Sequence, residues 1–383
     1  MVTETIPPFV PVLFAALVAA VAPRKVGHGL GFLASAGVAV GSLLVPAGTH
    51  LAPRLFGFET VLYQVDDFSR MMGVIFGLIA AAAVLYAYSS EADGTQTAAA
   101  LGYVGTSLGA VFAGDWLTLV FFWELMAATS TLLVWHYGGR AVRTGFRYAL
   151  AHGIGGSLVL AAVVWQYAAT GSFLFSEAAG VVGPIAPALM AIGIGVNVGF
   201  IGLHTWLPDT YPSPHIAASV FLCVYTTKTG VYAMFRAFPE GHLWIAYMGG
   251  AMAVFGASMA LLQEDMRRLL SYHIISQVGY MVAGVGIGTT LATAGAFGHV
   301  FNHILYKALL FMSVGVVIYR TGIEDITELG GLWRVMPVTF VAYLFGAAAI
   351  SAVPGFNGFV SKGIIIAEAH KSVENVVIGP ESV

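Results

Sequence analysis

Apolar runs of roughly 20 residues recur from one end of the chain to the other, the length that crosses about 30 Å of hydrocarbon at 1.5 Å rise per helical residue. About twelve can be delimited, at residues 8–22, 26–45, 68–88, 97–113, 116–135, 145–168, 184–203, 215–235, 243–262, 269–287, 292–318 and 336–369. Short polar stretches separate them. The first run lacks the basic lead of a cleaved signal peptide, so it reads as a retained span.

Two of the runs are interrupted. One carries Pro208 in HTWLPD, closely followed by Pro212 and Pro214, and the other carries Pro354 in VPGFNGFVSK. Proline removes a backbone donor, and inside a bilayer the freed groups must be satisfied by protein or by a water-lined cavity. Broken helices at corresponding places in two halves point to an inverted-repeat transporter with its site near the midplane. A simple proline kink in either run is the competing reading. The expected fold is an all-α polytopic helix bundle of about twelve spans, with inverted repeats and two discontinuous helices. Its segments are residues 1–94 (an N-terminal three-helix segment), 95–240 (a first repeat) and 241–383 (a second, incomplete one).

Composition agrees with the pattern. Apolar residues make up 58% of the chain and charged ones only 9%, with a mean hydropathy of +0.85. That leaves too little polar surface for a soluble globule. A net charge of −3 spread along the chain carries no nucleic-acid footprint. The single cysteine, Cys223, lies in an apolar run and excludes both an internal disulfide and a multi-thiolate cluster. No Walker loop, dinucleotide fingerprint or GxSxG elbow is present, so no cofactor is expected. Arg24, Lys25, Arg140, Arg143, Arg267, Arg268, Arg320 and Arg334 all fall after odd-numbered spans. By the positive-inside rule this places the N-terminus outside, in a multi-pass protein of the cell membrane.

A charge at the bilayer centre costs roughly 2.5–3.5 kcal/mol on insertion scales, so the ionisable residues inside the spans are the functional candidates. Glu124 lies in the fifth span and Lys228 in the eighth, where it is the natural partner for the carboxylate. His299, His303 and Lys307 fall at i, i+4 and i+8, one face of one helix, as in a proton relay. Polar glue between helices is the alternative. The HxxxH spacing lacks a following Glu and a third ligand, so no metal is expected. Lys362 follows the second break, where a snorkelling lysine carries nearly equal weight. His152 bridges the path or merely packs, and His204 and Asp209 flank the first break and orient it.

The ordered set DWLTLVFFWELM, HTWLPD with TKTGVYAMFR, DMRRLLSYHIISQVGY, HVFNHILYKALLF and PGFNGFVSKG resembles the antiporter-like proton-channel family. That family comprises the membrane-arm subunits of complex I and the large subunits of Mrp-type Na+/H+ antiporters. TKTGVYAMFR and GFNGFVSK are most similar to the D-type and A-type Mrp members. The resemblance implies a proton path of Glu124, Lys228, His299, His303, Lys307 and Lys362, two five-helix inverted repeats, and discontinuous seventh and twelfth helices. Where the family carries a seventh-span lysine, this chain has Asn197, which cannot hold a charge. Family members also run on through further spans, so that either a companion chain would supply the last helix of the second repeat or the chain is a shortened gene product.

The function expected is that of an ion-translocating subunit of a multisubunit Na+/H+ antiporter, a transporter component rather than an enzyme by itself. Its partners would be other membrane subunits, the lipid bilayer, H+ and Na+, with no nucleic acid. A proton-pumping subunit of a complex I-like or hydrogenase-like complex, part of an NADH:quinone-type translocase, is the first alternative. A non-conducting scaffold is the second, and a membrane enzyme using HxxxH the most remote.

Overall fold

A computed structural model describes residues 5–55, 57–175 and 180–378, with side chains up to residue 373. Its helices are α1 (Phe9–Val21), α2 (Arg24–Leu44), α3 (Asp67–Ser89), α4 (Gly94–Val111), α5 (Trp116–Trp135), α6 (Arg140–Thr170), α7 (Ala186–Val198), α8 (Trp206–Thr210), α9 (Ile216–Leu222), α10 (Tyr225–Ala237), α11 (Leu243–Ala260), α12 (Met266–Ile287), α13 (Thr290–Thr321), α14 (Pro337–Ile350) and α15 (Asn357–Ile378). Among the described residues seven spans, the Ile216–Ala237 stretch among them, are long and apolar enough to cross a membrane by themselves. Others are shorter or built from pieces. This is an integral membrane helix bundle, and the helical expectation holds throughout the spans.

Many helix starts are written into the sequence. Asp66, Asp93, Asp115, Asp265 and Thr289 each accept a backbone N–H in the first turn of the helix that follows, from Ser69, Gln96, Thr118, Arg268 and Ala292. Each bond satisfies a donor that the helix leaves open. Two pairs of strands depart from the all-α expectation: β1 (Gly48–Leu51) with β4 (Tyr63–Val65), and β2 (Arg54–Leu55) with β3 (Phe58–Glu59), all antiparallel. They fold the loop between α2 and α3 over one end of the bundle, where Gln64 N–H donates to Phe112 O and Gly114 N–H to Val61 O.

Alternate loops segregate to opposite faces. On one, His136 meets Asp93 at 2.7 Å. There too Glu324 lies between Arg140 at 2.9 Å and Arg267 at 2.7 Å, and Asp209 between Arg147 and Arg268. On the other, Arg236 pairs with Asp66.

The breaks differ in detail from the sequence expectation. The seventh span ends at Val198 because Gly199 and Gly202 adopt φ +78° and +91°, the left-handed region that favours glycine. Pro208 is not the breaker. It sits inside α8, in the first turn of a new helix, where a missing N–H costs nothing. In the twelfth span α14 stops at Ile350, and Ala352 and Gly355 turn the chain at φ +56° and +92° around Pro354. A third break was not anticipated. The eighth span divides between α9 and α10 at Cys223 and Val224, next to a Val-Tyr-Thr-Thr run of modest helix propensity.

Candidate functional site

The three breaks set the chemistry of the interior, because each releases a carbonyl that a side chain further along the sequence then takes. Trp206 donates its indole N–H to Val196 O at 2.9 Å. Lys228 donates from Nζ to Cys223 O at 2.6 Å. Lys362 donates from Nζ to Ile350 O at 2.5 Å. A buried ammonium needs acceptors, and the negative end of a helix supplies them. Lys228 is completely buried and Lys362 is 8% exposed. Lys362 therefore points back into the protein and does not snorkel.

Helix α13 carries the stripe. His299, His303 and Lys307 are all completely buried, with the two imidazole centroids 6.2 Å apart. His299 Nδ1 lies 2.9 Å from Ser361 Oγ on α15, and its Nε2 lies 3.5 Å from the Tyr306 hydroxyl. That hydroxyl in turn donates to Gln277 on α12 at 3.1 Å. Asn302 donates to Asn357 O and to Ser361. Neither ring nitrogen of His303, nor Lys307 Nζ, has a hydrogen-bond partner among the described residues. The Lys307 ammonium lies 5.6 Å from the Phe311 ring centre, and that of Lys362 lies 5.2 Å from Tyr280. Lys228, Lys307, Lys362 and His299 all lie within electrostatic range of His303. The structure thus gathers α10, α13 and α15 around one line of titratable side chains.

The first half holds a second cluster. His152 on α6, 1% exposed, has Nδ1 at 2.9 Å from Asn197 Oδ1 on α7. Its ring centre lies 4.1 Å from that of Tyr148 and 4.5 Å from that of Trp206. The Tyr148 hydroxyl reaches Ser130 on α5 at 2.8 Å and Thr226 on α10 at 3.2 Å. Thr226 also meets the Tyr103 hydroxyl at 2.6 Å. A chain of hydroxyls therefore runs from α5 and α6 to α10, two residues before Lys228.

At the two faces the charged groups are held as ions. Burial raises the Asp66 carboxyl, but the Arg236 guanidinium beside it outweighs that and keeps it below the ordinary carboxylate range. Burial likewise works against Glu324, and Arg267 with Arg140 more than offsets it.

Residues 113–379 match the family described as NADH:quinone oxidoreductase/Mrp antiporter, transmembrane. The chain belongs to that family. It is 30% identical to the D-type Na+/H+ antiporter protein of Alkalihalophilus pseudofirmus, over 88% of this chain and 72% of that one. It is equally identical to the N-type NADH-quinone oxidoreductase protein of Desulforudis audaxviator over the same shares. Against a probable K+/H+ antiporter protein of the A/B type from Rhizobium meliloti, identity is 30% over 83% of this chain, which spans only 33% of that relative. Among solved structures, the membrane-bound sulfane sulfur reductase, an archaeal respiratory membrane complex, superposes with a TM-score of 0.86 at 28% identity, over 97% of this chain and 66% of that one. A chain of the Mrp complex of a Dietzia species superposes at 0.85 with 22% identity, over 97% and 74%, and shares the fold.

Within this NADH:quinone oxidoreductase/Mrp antiporter fold the anticipated residues are not all brought together. Lys228, His299, His303, Lys307 and Lys362 converge. Glu124 does not join them. Its side chain is exposed on the flank of α5, in a strip with Phe121, Leu125 and Leu132. Its carboxyl packs over Gly156 of α6, where a Cβ would overlap it. The expected pairing of Glu124 with Lys228 is absent, since the Lys228 ammonium is taken by the Cys223 carbonyl. His204 braces the first break by accepting from Gly202 N–H at 3.3 Å. Asp209 lies in the ionic network at the face, away from the stripe.

Tyr148, Thr226, Tyr306, Gln277 and Ser361 carry no signal in the sequence that marks them out. Hydroxyls and amides are common inside membrane helices, and only the contacts distinguish these five. His273 on α12 is a further group that the sequence expectation did not include. It lies within electrostatic range of Lys307 and Lys362, and its signal was the SYHIISQ run of polar residues within an apolar span.

Proposed function

We propose that the chain is the ion-translocating membrane subunit of a multisubunit Na+/H+ antiporter. Protons move along Lys228, Lys307, His303, His299 and Lys362, and Glu124 is the lateral entry to that line. The observation that carries this reading is the row of buried titratable groups on α10, α13 and α15, two of which, His303 and Lys307, have polar atoms with no partner among the described residues. Intramembrane ionisable groups are costly and mark ion paths. The name of the Alkalihalophilus relative, a Na+/H+ antiporter protein, supports Na+ as the cation, and that of the Rhizobium relative, a probable K+/H+ antiporter protein, supports K+ as the alternative.

Glu124 supports the requirement for partners. A carboxyl at mid-span on an otherwise apolar flank needs a covering protein surface, because lipid offers it no acceptor or donor. Other membrane subunits meet that need. The face carrying Arg140, Arg267 and Arg268 is cytoplasmic in this reading, which leaves the N-terminus outside.

Everted vesicles carrying the chain with its partner subunits test the reading. Na+-dependent dissipation of a pH gradient should fall strongly in Glu124→Ala and in Lys228→Ala. Unchanged exchange in both variants would overturn the path. The equal coverage by the Desulforudis relative favours one alternative, a proton-pumping subunit of a respiratory complex. Co-purification with iron–sulfur proteins rather than with small hydrophobic subunits would select it.

A further inference from the structure

We infer that His152 is the proton-binding group of the first half of the molecule, exchanging its proton with Glu124 across one turn of α6. This inference rests on the proton path just proposed and adds to it a residue and a tautomer.

The geometry begins with Asn197. With the amide oxygen turned to the ring, 2.9 Å from His152 Nδ1, Asn197 accepts, and we assign the ring proton to that nitrogen. The lone pair is then on Nε2. That atom is buried and has no hydrogen-bond partner among the described residues, and neither has Asn197 Nδ2. A packing histidine would have both ring nitrogens satisfied. Here one is held in a fixed tautomer and the other is left available as a base.

The proton donor is close along the same helix. Gly156 follows His152 by four residues, so the two share a face of α6 one turn apart. The Glu124 carboxyl rests on Gly156, in space that any larger residue would fill. No direct hydrogen bond joins Glu124 to His152, so water carries the proton over that turn. The step balances: the proton leaves the Glu124 carboxyl and binds Nε2, giving a carboxylate and an imidazolium with no change in total charge.

Every element around the ring contributes polar or aromatic groups. Helix α5 contributes Ser130 through the Tyr148 hydroxyl. Helix α6 contributes Tyr148, α7 Asn197 and α8 the Trp206 ring. Thr226 of α10 joins through the Tyr148 hydroxyl, and Tyr103 of α4 through Thr226. Glu124 lies one turn along α6, over Gly156, and the charged groups beside Trp206, Arg147 of α6 and Asp209 of α8, pair with each other at 3.4 Å. The hydroxyl chain then leads from the ring towards α10 and Lys228.

The test uses the assembled complex in everted vesicles, with assembly followed on native gels. His152→Gln keeps an amide able to bond Asn197 but cannot titrate. It should lower exchange at least about tenfold, since a positioned acid–base group contributes on the order of a hundredfold or more. The exchanged pair His152→Asn with Asn197→His returns one imidazole to the same contact. It should restore exchange with an altered pH profile, which a purely structural hydrogen bond would leave unmoved. Exchange above half the wild-type rate in His152→Gln would overturn the inference, as would an assembled but inactive exchanged pair. If neither variant assembles, the imidazole is structural and the inference falls. Lys362→Ala separates the two claims. If it and the wild type exchange equally, the proposed path fails; if it is inactive while His152→Gln is active, only the present inference does.

Discussion

The two expected broken helices solve one problem in two ways. In the first half the carbonyl freed near the end of α7 is capped by the neutral indole of Trp206, and the adjacent Asn197–His152 contact carries no fixed charge. In the second half the carbonyl at the end of α14 is capped by the ammonium of Lys362. A neutral cap is indifferent to protonation. An ammonium cap is stronger and loses much of that strength when the proton leaves. The second break, and with it the Lys228 cap of the eighth span, is therefore the part of the molecule whose backbone responds to proton movement. The first is a fixed joint.

Lys362→Met is the hardest test of this contrast. It removes the donor to Ile350 O and one member of the buried line, and exchange should fall about a hundredfold. Retained exchange, measured by pH-gradient dissipation, would break the comparison. Glu324→Gln should have the next largest effect. Glu324 ties Arg140 of the first half to the 4%-exposed Arg267 of the second, and hydrogen bonds to charged groups contribute about 1.5–3 kcal/mol. Thermal melting of the assembled protein should drop accordingly.

The sign of the pH dependence follows from the Glu324 carboxyl being held below its ordinary value. Its contribution is complete above the unfolded value near 4.3, and is lost as pH falls through the folded value. The melting difference between wild type and Glu324→Gln should be full at neutral pH and shrink below about pH 4. A difference that grew on acidification would contradict the ion-pair assignment.

Trp206→Phe sharpens the other side of the contrast. It removes the indole donor and leaves Val196 O with the Gly199 N–H at 3.2 Å, which should cost about 1 kcal/mol of stability at most, while the assembled protein still exchanges. Loss of exchange here would mean that the first break also moves. Arg147→Gln is the mildest change. Arg147 is largely exposed and lies 3.4 Å from Asp209 of α8, and such pairs contribute about 0–1 kcal/mol, so its melting temperature should match that of the wild type closely.

Several features were legible from residue order alone. Runs of roughly 20 apolar residues set the spans, since length against bilayer thickness is a one-dimensional criterion. The i, i+4, i+8 spacing of His299, His303 and Lys307 put them on one face, and all three are buried together. Other features were not. Pro208 drew attention as a breaker, yet the helix ends well before it, at Gly199, because glycine at positive φ ends a helix as effectively as proline does.

What the sequence by itself determined is the class of protein, the approximate position of each span and the charged residues that needed a reason to lie inside the membrane. Only the tertiary structure decided who meets whom. Glu124 and Lys228 looked like partners because an acid and a base share one apolar bundle, but pairing depends on the rotation of each helix about its axis. That rotation puts Glu124 over Gly156 and His152 against Asn197. A break at Cys223, with no proline or glycine to mark it, offered Lys228 a carbonyl nearer than any carboxylate. Helix rotation and backbone breaks are settled by packing among many segments at once, and no local stretch of sequence contains them.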